Sequence, residues 1–359
     1  MTTIEMIMVA SPLLASVIAG IAAMLVDAFA SRRAAVIVAS VLLVASAGLA
    51  VWQSFAPLAA IMEAFLAGGI VSAVWAVISL TAALSLFGGL SDLSSRKGGG
   101  GVAALIALAT AASMLLAASL DLVMTLIALE TIAVCCYAIV VAGRTPASAE
   151  AAMKYVIQGA VATGLFLAGL AIHVGVTGGG SNLGRVAAGM PEFALASTAA
   201  TVFLLAAFAF KLGAVPFHSW APDALETAPP SGSAFMASAP KIAAVLGLTI
   251  LFSQTVEQVA IKTLPTLNHV ILFATLAVGS ILVGNLAGLP QTSYLRMLAY
   301  SGIAQVGYVL IGLAAGSGAF PATIFLVSVY GLAAAGAFLA AQFVRAVRPG
   351  WDGSISGIA

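Results

Sequence analysis

The chain has 359 residues, is 62% hydrophobic and only 7% charged, and carries a net charge of +1; its mean hydropathy is +1.18. A soluble domain has about 25% charged residues, so this composition excludes a soluble enzyme and predicts an integral membrane protein with almost no extramembrane mass. The near-neutral charge gives no footing for a nucleic-acid partner.

Motifs narrow the chemistry further. Cys135 and Cys136 are adjacent inside an apolar run, with neither metal-ligand spacing nor the pattern of a disulfide framework. No GxGxxG, P-loop, CxxC or HExxH pattern occurs. No metal and no flavin, nucleotide or iron–sulfur cluster is therefore expected in this chain. The N-terminus lacks the basic region of a signal peptide, so the first apolar run is expected to be retained.

A spanning helix needs about 20 apolar residues, and eleven runs qualify in chain order. Runs 6–28 and 36–56 are separated by Arg32 and Arg33. Run 67–90 is followed by Arg96, Lys97 and the glycines 98–101, which read as a loop. Run 102–119 leads to Asp121, a helix N-cap residue, and to run 122–142, which holds Glu130. At 1.5 Å per residue Glu130 lies about 14 Å into a core about 30 Å thick. Run 152–175 carries Lys154 early, and run 195–215 carries Lys211 late, just before Pro216. Run 234–253 carries Lys241 directly after Pro240. Runs 266–288, 297–314 and 322–344 follow, and no soluble domain is inserted.

The loops test this count. Those after odd-numbered runs hold eight basic residues: Arg32, Arg33, Arg96, Lys97, Arg144, Arg296, Arg345 and Arg348. The opposite loops hold Arg185 and Lys262 alone. This bias is the positive-inside signal. It predicts an N-terminus outside the cytoplasm and a cytoplasmic end for the eleventh helix.

An ionisable residue at a helix centre costs about 2.5–3.5 kcal/mol on insertion scales, more than packing alone would justify. Burial disfavours the charged form of a lysine and a nearby carboxylate favours it, so a small change of distance can tip such a pair. Glu130, Lys211, Lys241 and Lys154 therefore read as a proton relay, and Pro216 as a helix break beside a polar or hydrated cavity. The alternatives are an inert Glu130–Lys211 ion pair and, for Lys154 and Lys241, snorkelling to the interface. His218 either extends the proton path or supports carbonyls freed by the break. His173 and His269 read as interfacial, and Arg296, Tyr294, Tyr300 and Tyr308 as interface anchors or core. Asp223 and Glu226 read as solvated loop charges or proton collectors at an entrance.

The stretch "FAFKLGAVPFHSWAPDALETAPPSGSAFMASAPKIAA" at 208–244 resembles the signature of the antiporter-like proton-channel subunits of respiratory complex I. "SLDLVMTLIALETIAVCCYAIV" resembles the fifth helix of that family and "SAEAAMKYVIQGAVATGLFLAGLA" the sixth. "GNLAGLPQTSYLRMLAYSGIAQVGYVLIG" resembles the ninth-to-tenth segment. Pro240–Lys241 and "MKYVIQGA" favour the N-type subunit of NADH:quinone oxidoreductase over the M- and L-types.

The resemblance implies an all-α membrane fold with inverted five-helix repeats and a discontinuous seventh helix. It divides the chain into an N-terminal three-helix segment (1–100), a first repeat (101–255) and an incomplete second repeat (256–359). Glu130 would couple to the neighbouring subunit and pair with Lys211; Lys241 would pass the proton onward, and Lys154 matches the sixth-helix lysine. The partners implied are M-type and small K-type membrane subunits and the lipid of a bacterial inner membrane, with FMN, iron–sulfur clusters and quinone held by other subunits. Two departures stand out: Gln305 replaces a frequent histidine, and the sequence stops about three helices earlier than family members usually do. The alternatives are a subunit of a cation/proton antiporter or membrane-bound hydrogenase, and a structural subunit that does not conduct.

Overall fold

The computed structural model describes residues 3–56, 59–61, 64–183, 194–256, 269–348 and 350–357. Two long apolar helices, α1 (Thr3–Phe29) and α2 (Arg32–Ser54), form a hairpin. Ser31 turns it, its hydroxyl accepting from Ala34 N. A short antiparallel pair, β1 (Ala59–Ile61) and β2 (Phe65–Ala67), leads into α3 (Gly69–Gly88) and the single-turn α4 (Leu90–Ser95). Hydroxyls of Ser16, Ser46 and Ser79 meet between α1, α2 and α3 at 3.0 and 3.1 Å. They join helices by hydrogen bonding where lipid offers no hydrophobic drive to do so.

The next helices are α5 (Gly99–Leu116), α6 (Leu122–Val141), α7 (Pro146–Val176) and α8 (Ala194–Leu212). The expected glycine loop at 98–101 is a loop only at Gly98, with φ +84°; the other three glycines open α5. The reason is close approach. A Cβ on Gly99 would stand 1.8 Å from Leu93 O, and one on Gly100 2.2 Å from the Asp27 carboxyl carbon. Asp121 caps α6, its Oδ1 accepting from Val123 N and Met124 N. Thr145 and Ser148 form a reciprocal capping box at the start of α7.

Two short helices, α9 (Trp220–Thr227) and α10 (Pro230–Met236), precede α11 (Ala239–Leu251), which ends in a π-helical turn at Phe252–Val256. Then come α12 (His269–Gly288), α13 (Tyr294–Ala314) and α14 (Phe320–Val347). With α10 and α11 counted as one span, eleven helices among the described residues are long and apolar enough to cross a membrane. They match the eleven runs of the sequence.

The span Pro230–Gln254 lies at the centre, every residue of its apolar window buried. It is enclosed by α3, α5, α8 and α14. On the periphery α1, α2, α7 and α12 expose Ile18, Val41, Val161 and Leu282, as lipid-facing helices do.

Contacts sort the loops by end. At one end Arg96 donates to Ala142 O, and Arg144 lies against Gly98. There, too, Tyr294 N donates to Gly353 O, and Tyr294 packs on Trp351. At the other end β2 pairs Phe65 with Ser119, and Asp121 bridges to Asn182. The loops that follow odd-numbered spans therefore gather at one end, as the charge pattern requires. Arg185 and Lys262 lie outside the described residues.

Candidate functional site

The break expected at Pro216 falls earlier, at Gly213. Helix α8 stops at Leu212, and Gly213 takes φ +75°. Ala214 N donates to Ala209 O at 2.8 Å and Gly213 N to Phe210 O at 2.9 Å. This pair of hydrogen bonds around a left-handed glycine is the Schellman termination. Pro216, joined to Val215 by a cis peptide, follows the stop and is exposed. Two side chains tie the ends of the gap. Trp220 Nε1 donates to Phe210 O at 3.1 Å, and Ser280 Oγ on α12 accepts from Val215 N at 3.0 Å.

Lys211 thus stands in the last turn of α8, the negative pole of a helix. It is 4% exposed, and its Nζ is buried without a protein hydrogen-bond partner. Lys211 and Glu130 line one cavity of about 20 Å³ between α6, α7 and α8, room for about one water molecule. Among the described residues they do not form a direct ion pair. The inert-ion-pair alternative therefore lacks its contact, and Glu130 and Lys211 face one shared cavity. Glu130 is half-buried and accepts from Thr163 Oγ1 at 2.5 Å.

Aromatic rings close the cavity toward the break. Tyr155 stacks on Trp220 with ring centroids 4.0 Å apart, and Tyr137 meets Tyr155 edge-on at 4.6 Å. The Tyr137 hydroxyl occupies the space a Cβ on Gly159 would fill. Cys136 is buried beside Tyr155 and within electrostatic range of Lys211.

Lys241 stands in the first turn of α11, after a bend at Ser238 (φ −121°, ψ −88°) and Pro240. It too is 4% exposed and has no protein hydrogen-bond partner, so it does not reach an interface. A second cavity of about 10 Å³ holds it together with Leu212, Gln305 and Tyr330. Leu212 adjoins Lys211, so the two cavities lie on either side of the end of α8.

Lys154 is elsewhere. Its side chain is 47% exposed and pairs with Glu150 at 2.8 Å and Asp223 at 2.9 Å. Arg296 on α13 reaches Asp223 at 2.7 Å and Glu226 at 3.0 Å. Asp223 and Glu226, read as loop charges, thus sit on α9 and tie it to α7 and α13. Burial alone would push the Asp223 carboxyl up, but hydrogen bonds from Lys154 and Arg296 outweigh it and hold the carboxyl below the usual range. His218 is half-buried within the break, its Nδ1 without a partner. His173 is buried near the end of α7; the side chain of His269 lies outside the described residues.

Among the described residues no three His, Cys, Asp or Glu side chains gather as a metal site. Thr163, Tyr137, Trp220 and Tyr330 join the site without having been singled out in the sequence. Trp220 alone carried a signal, its place in the W-A-P-D run after the broken span.

A predominantly helical membrane bundle with a broken span and buried lysines defines a class, the antiporter-like membrane subunits. The family described as "NADH:quinone oxidoreductase/Mrp antiporter, TM" matches residues 119–349, and the chain belongs to that family. It is 39% identical over 239 residues to NAD(P)H-quinone oxidoreductase subunit 2 of Synechococcus sp. (strain JA-3-3Ab), covering 66% of this chain and 44% of that protein. It is 40% identical over 217 residues to NADH-quinone oxidoreductase subunit N of Neisseria gonorrhoeae, covering 59% and 44%. The chain thus spans about half the length of the curated relatives it matches. A chain in the structure of respiratory complex I from Thermus thermophilus with bound aureothin superposes with a TM-score of 0.74 at 30% identity, covering 91% of this chain and 69% of that one. A chain of the Mrp complex from Dietzia sp. DQ12-45-1b has a TM-score of 0.78 at 21% identity, covering 97% and 66%, and shares the fold.

Proposed function

We propose that this chain is a proton-translocating membrane subunit of a complex I-type NADH:quinone oxidoreductase. The observation that carries the reading is the pair of buried lysines, each without a protein partner and each in its own cavity, on either side of the end of α8. A buried ammonium without a counter-ion is costly, and a group that gains and loses a proton turns that cost into function. Glu130, half-buried on the α6 side, receives the influence of a neighbouring subunit. Lys211 and Lys241 move the proton inward, and His218 and Pro216 shape the break between them. Lys154, tied to Asp223, serves at the mouth of the path.

The redox chemistry belongs to other subunits, which hold FMN, iron–sulfur clusters and quinone. The adjoining membrane partners are M-type and small K-type subunits in a bacterial inner membrane. The basic end of the bundle faces the cytoplasm, so the N-terminus lies outside. Residues 1–100 form a three-helix segment, 101–255 the first of two inverted repeats and 256–359 part of the second. The similarity to NADH-quinone oxidoreductase subunits at 39–40% identity supports this assignment.

Lys211→Ala is expected to abolish proton pumping by the purified complex in reconstituted vesicles. Unimpaired pumping would overturn the proposal. The fold shared with the Mrp chain favours a second reading, a cation/proton antiporter subunit. Co-purification of iron–sulfur clusters with this chain distinguishes the two.

A further inference from the structure

The second cavity adds a residue to the path. Its polar lining consists of Lys241, Gln305 on α13 and Tyr330 on α14. Lys241 Nζ lies 3.2 Å, and the Tyr330 hydroxyl 3.3 Å, from the point where Gly302 would carry a Cβ. The two polar atoms thus converge on the space this glycine leaves open, a separation that a direct contact or one bridging water spans. Lys241 is almost wholly buried and Tyr330 half-buried, and the Tyr330 hydroxyl lies near enough to Ser301, which is exposed, for the two side chains to interact. Burial therefore falls along the series Lys241, Tyr330, Ser301.

We infer that Tyr330 is the proton-relay residue that follows Lys241, and that Gly302 is the positioning residue that keeps the gap between them open. This rests on the proton-translocating reading above. A side-chain amide such as Gln305 can orient a hydrogen bond but has no readily exchanged proton to pass on. A hydroxyl donates and accepts at once. The Lys241 ammonium gives one proton to the Tyr330 oxygen, directly or through water. The same oxygen releases its own proton to a water molecule on the Ser301 side. Tyrosine ends neutral, Lys241 ends as an amine, and one positive charge has moved from Lys241 to the Ser301 side.

The test uses the purified intact complex in vesicles, with proton uptake measured per quinone reduced and assembly checked by native electrophoresis. Tyr330→Phe keeps the ring and removes the hydroxyl; it is expected to lower proton translocation roughly tenfold or more with assembly unchanged. Tyr330→His, which again donates and accepts, is expected to restore most of it. Gly302→Ala is expected to resemble Tyr330→Phe, because its methyl group would fill the gap. Normal pumping by Tyr330→Phe alongside a defective Lys241→Ala would overturn the relay and leave the proposed function standing. A loss that His does not restore would also overturn it, as the ring's packing would then be the cause. Normal pumping by both Lys211→Ala and Lys241→Ala would remove the proposed function itself.

Discussion

Glu130 depends on Thr163 more than its own position suggests. A carboxylate near mid-membrane needs donors that water cannot readily supply, and the Thr163 hydroxyl provides one at 2.5 Å. Valine has the same shape without the hydroxyl. Thr163→Val is expected to lower the pumping rate of the assembled complex several-fold, since a hydrogen bond to a charged group contributes about 1.5–3 kcal/mol. Proton uptake in vesicles reads it, and an unchanged rate would show that Glu130 does not need this donor. At this scale the lysines were legible and their neighbours were not. Lys211 and Lys241 stand out because an ammonium in an apolar run is costly. Thr163, Tyr137 and Tyr330 are ordinary membrane-helix residues. They acquire roles only when α6 meets α7, or α13 meets α14, at one particular rotation.

The break in the seventh span belongs to the scale of the element. A proline in an apolar run marks an interruption, but the helix has already ended at the glycine. The KLG order, a basic residue in the last turn before a glycine, is itself a stop signal, and it was the sign to follow. A side chain at Gly213 would have to adopt φ +75°, which costs an L-residue about 1–2 kcal/mol. Gly213→Ala is therefore expected to destabilise the protein by about that amount, seen as a lower midpoint in detergent thermal unfolding. Gly164→Ala, at a helix-interior site where an added Cβ meets nothing within 4 Å, is the control and is expected to leave the midpoint unchanged or raise it, since alanine favours the helix. Short α9 is held on two sides, by Trp220 stacked on Tyr155 and by Asp223 and Glu226 in their ion pairs. The gap is thus bounded by fixed ends.

Over the whole molecule, the ion pairs among α7, α9 and α13 join parts of the chain far apart in sequence. The charge bias had already put these groups at the same end. Which acid meets which base depends on how α9 lies against α13, and no local pattern encodes that. Asp223 makes the network sensitive to acid. Its carboxyl is held below the ordinary range, so its stabilisation is fully present above the unfolded-state value and is lost as pH falls through the lowered folded-state value. Asp223→Asn is expected to unfold more easily than the parent at pH 7. That difference is expected to shrink once the pH drops below about 4, as thermal unfolding in detergent across a pH series would read. A constant difference would mean that the ion pairs add nothing.

The enclosure of α10 and α11 also bears on how the molecule is made. Of the helices around this span, α3, α5 and α8 precede it in the chain, and α14 follows only after α12 and α13. As the polypeptide emerges in order, three walls stand ready when Lys241 enters the membrane, and the fourth has yet to be synthesised. The centre is therefore completed late, by a long-range contact rather than by neighbours in sequence. Until α14 docks, an ammonium that is 4% exposed in the finished protein has an open flank.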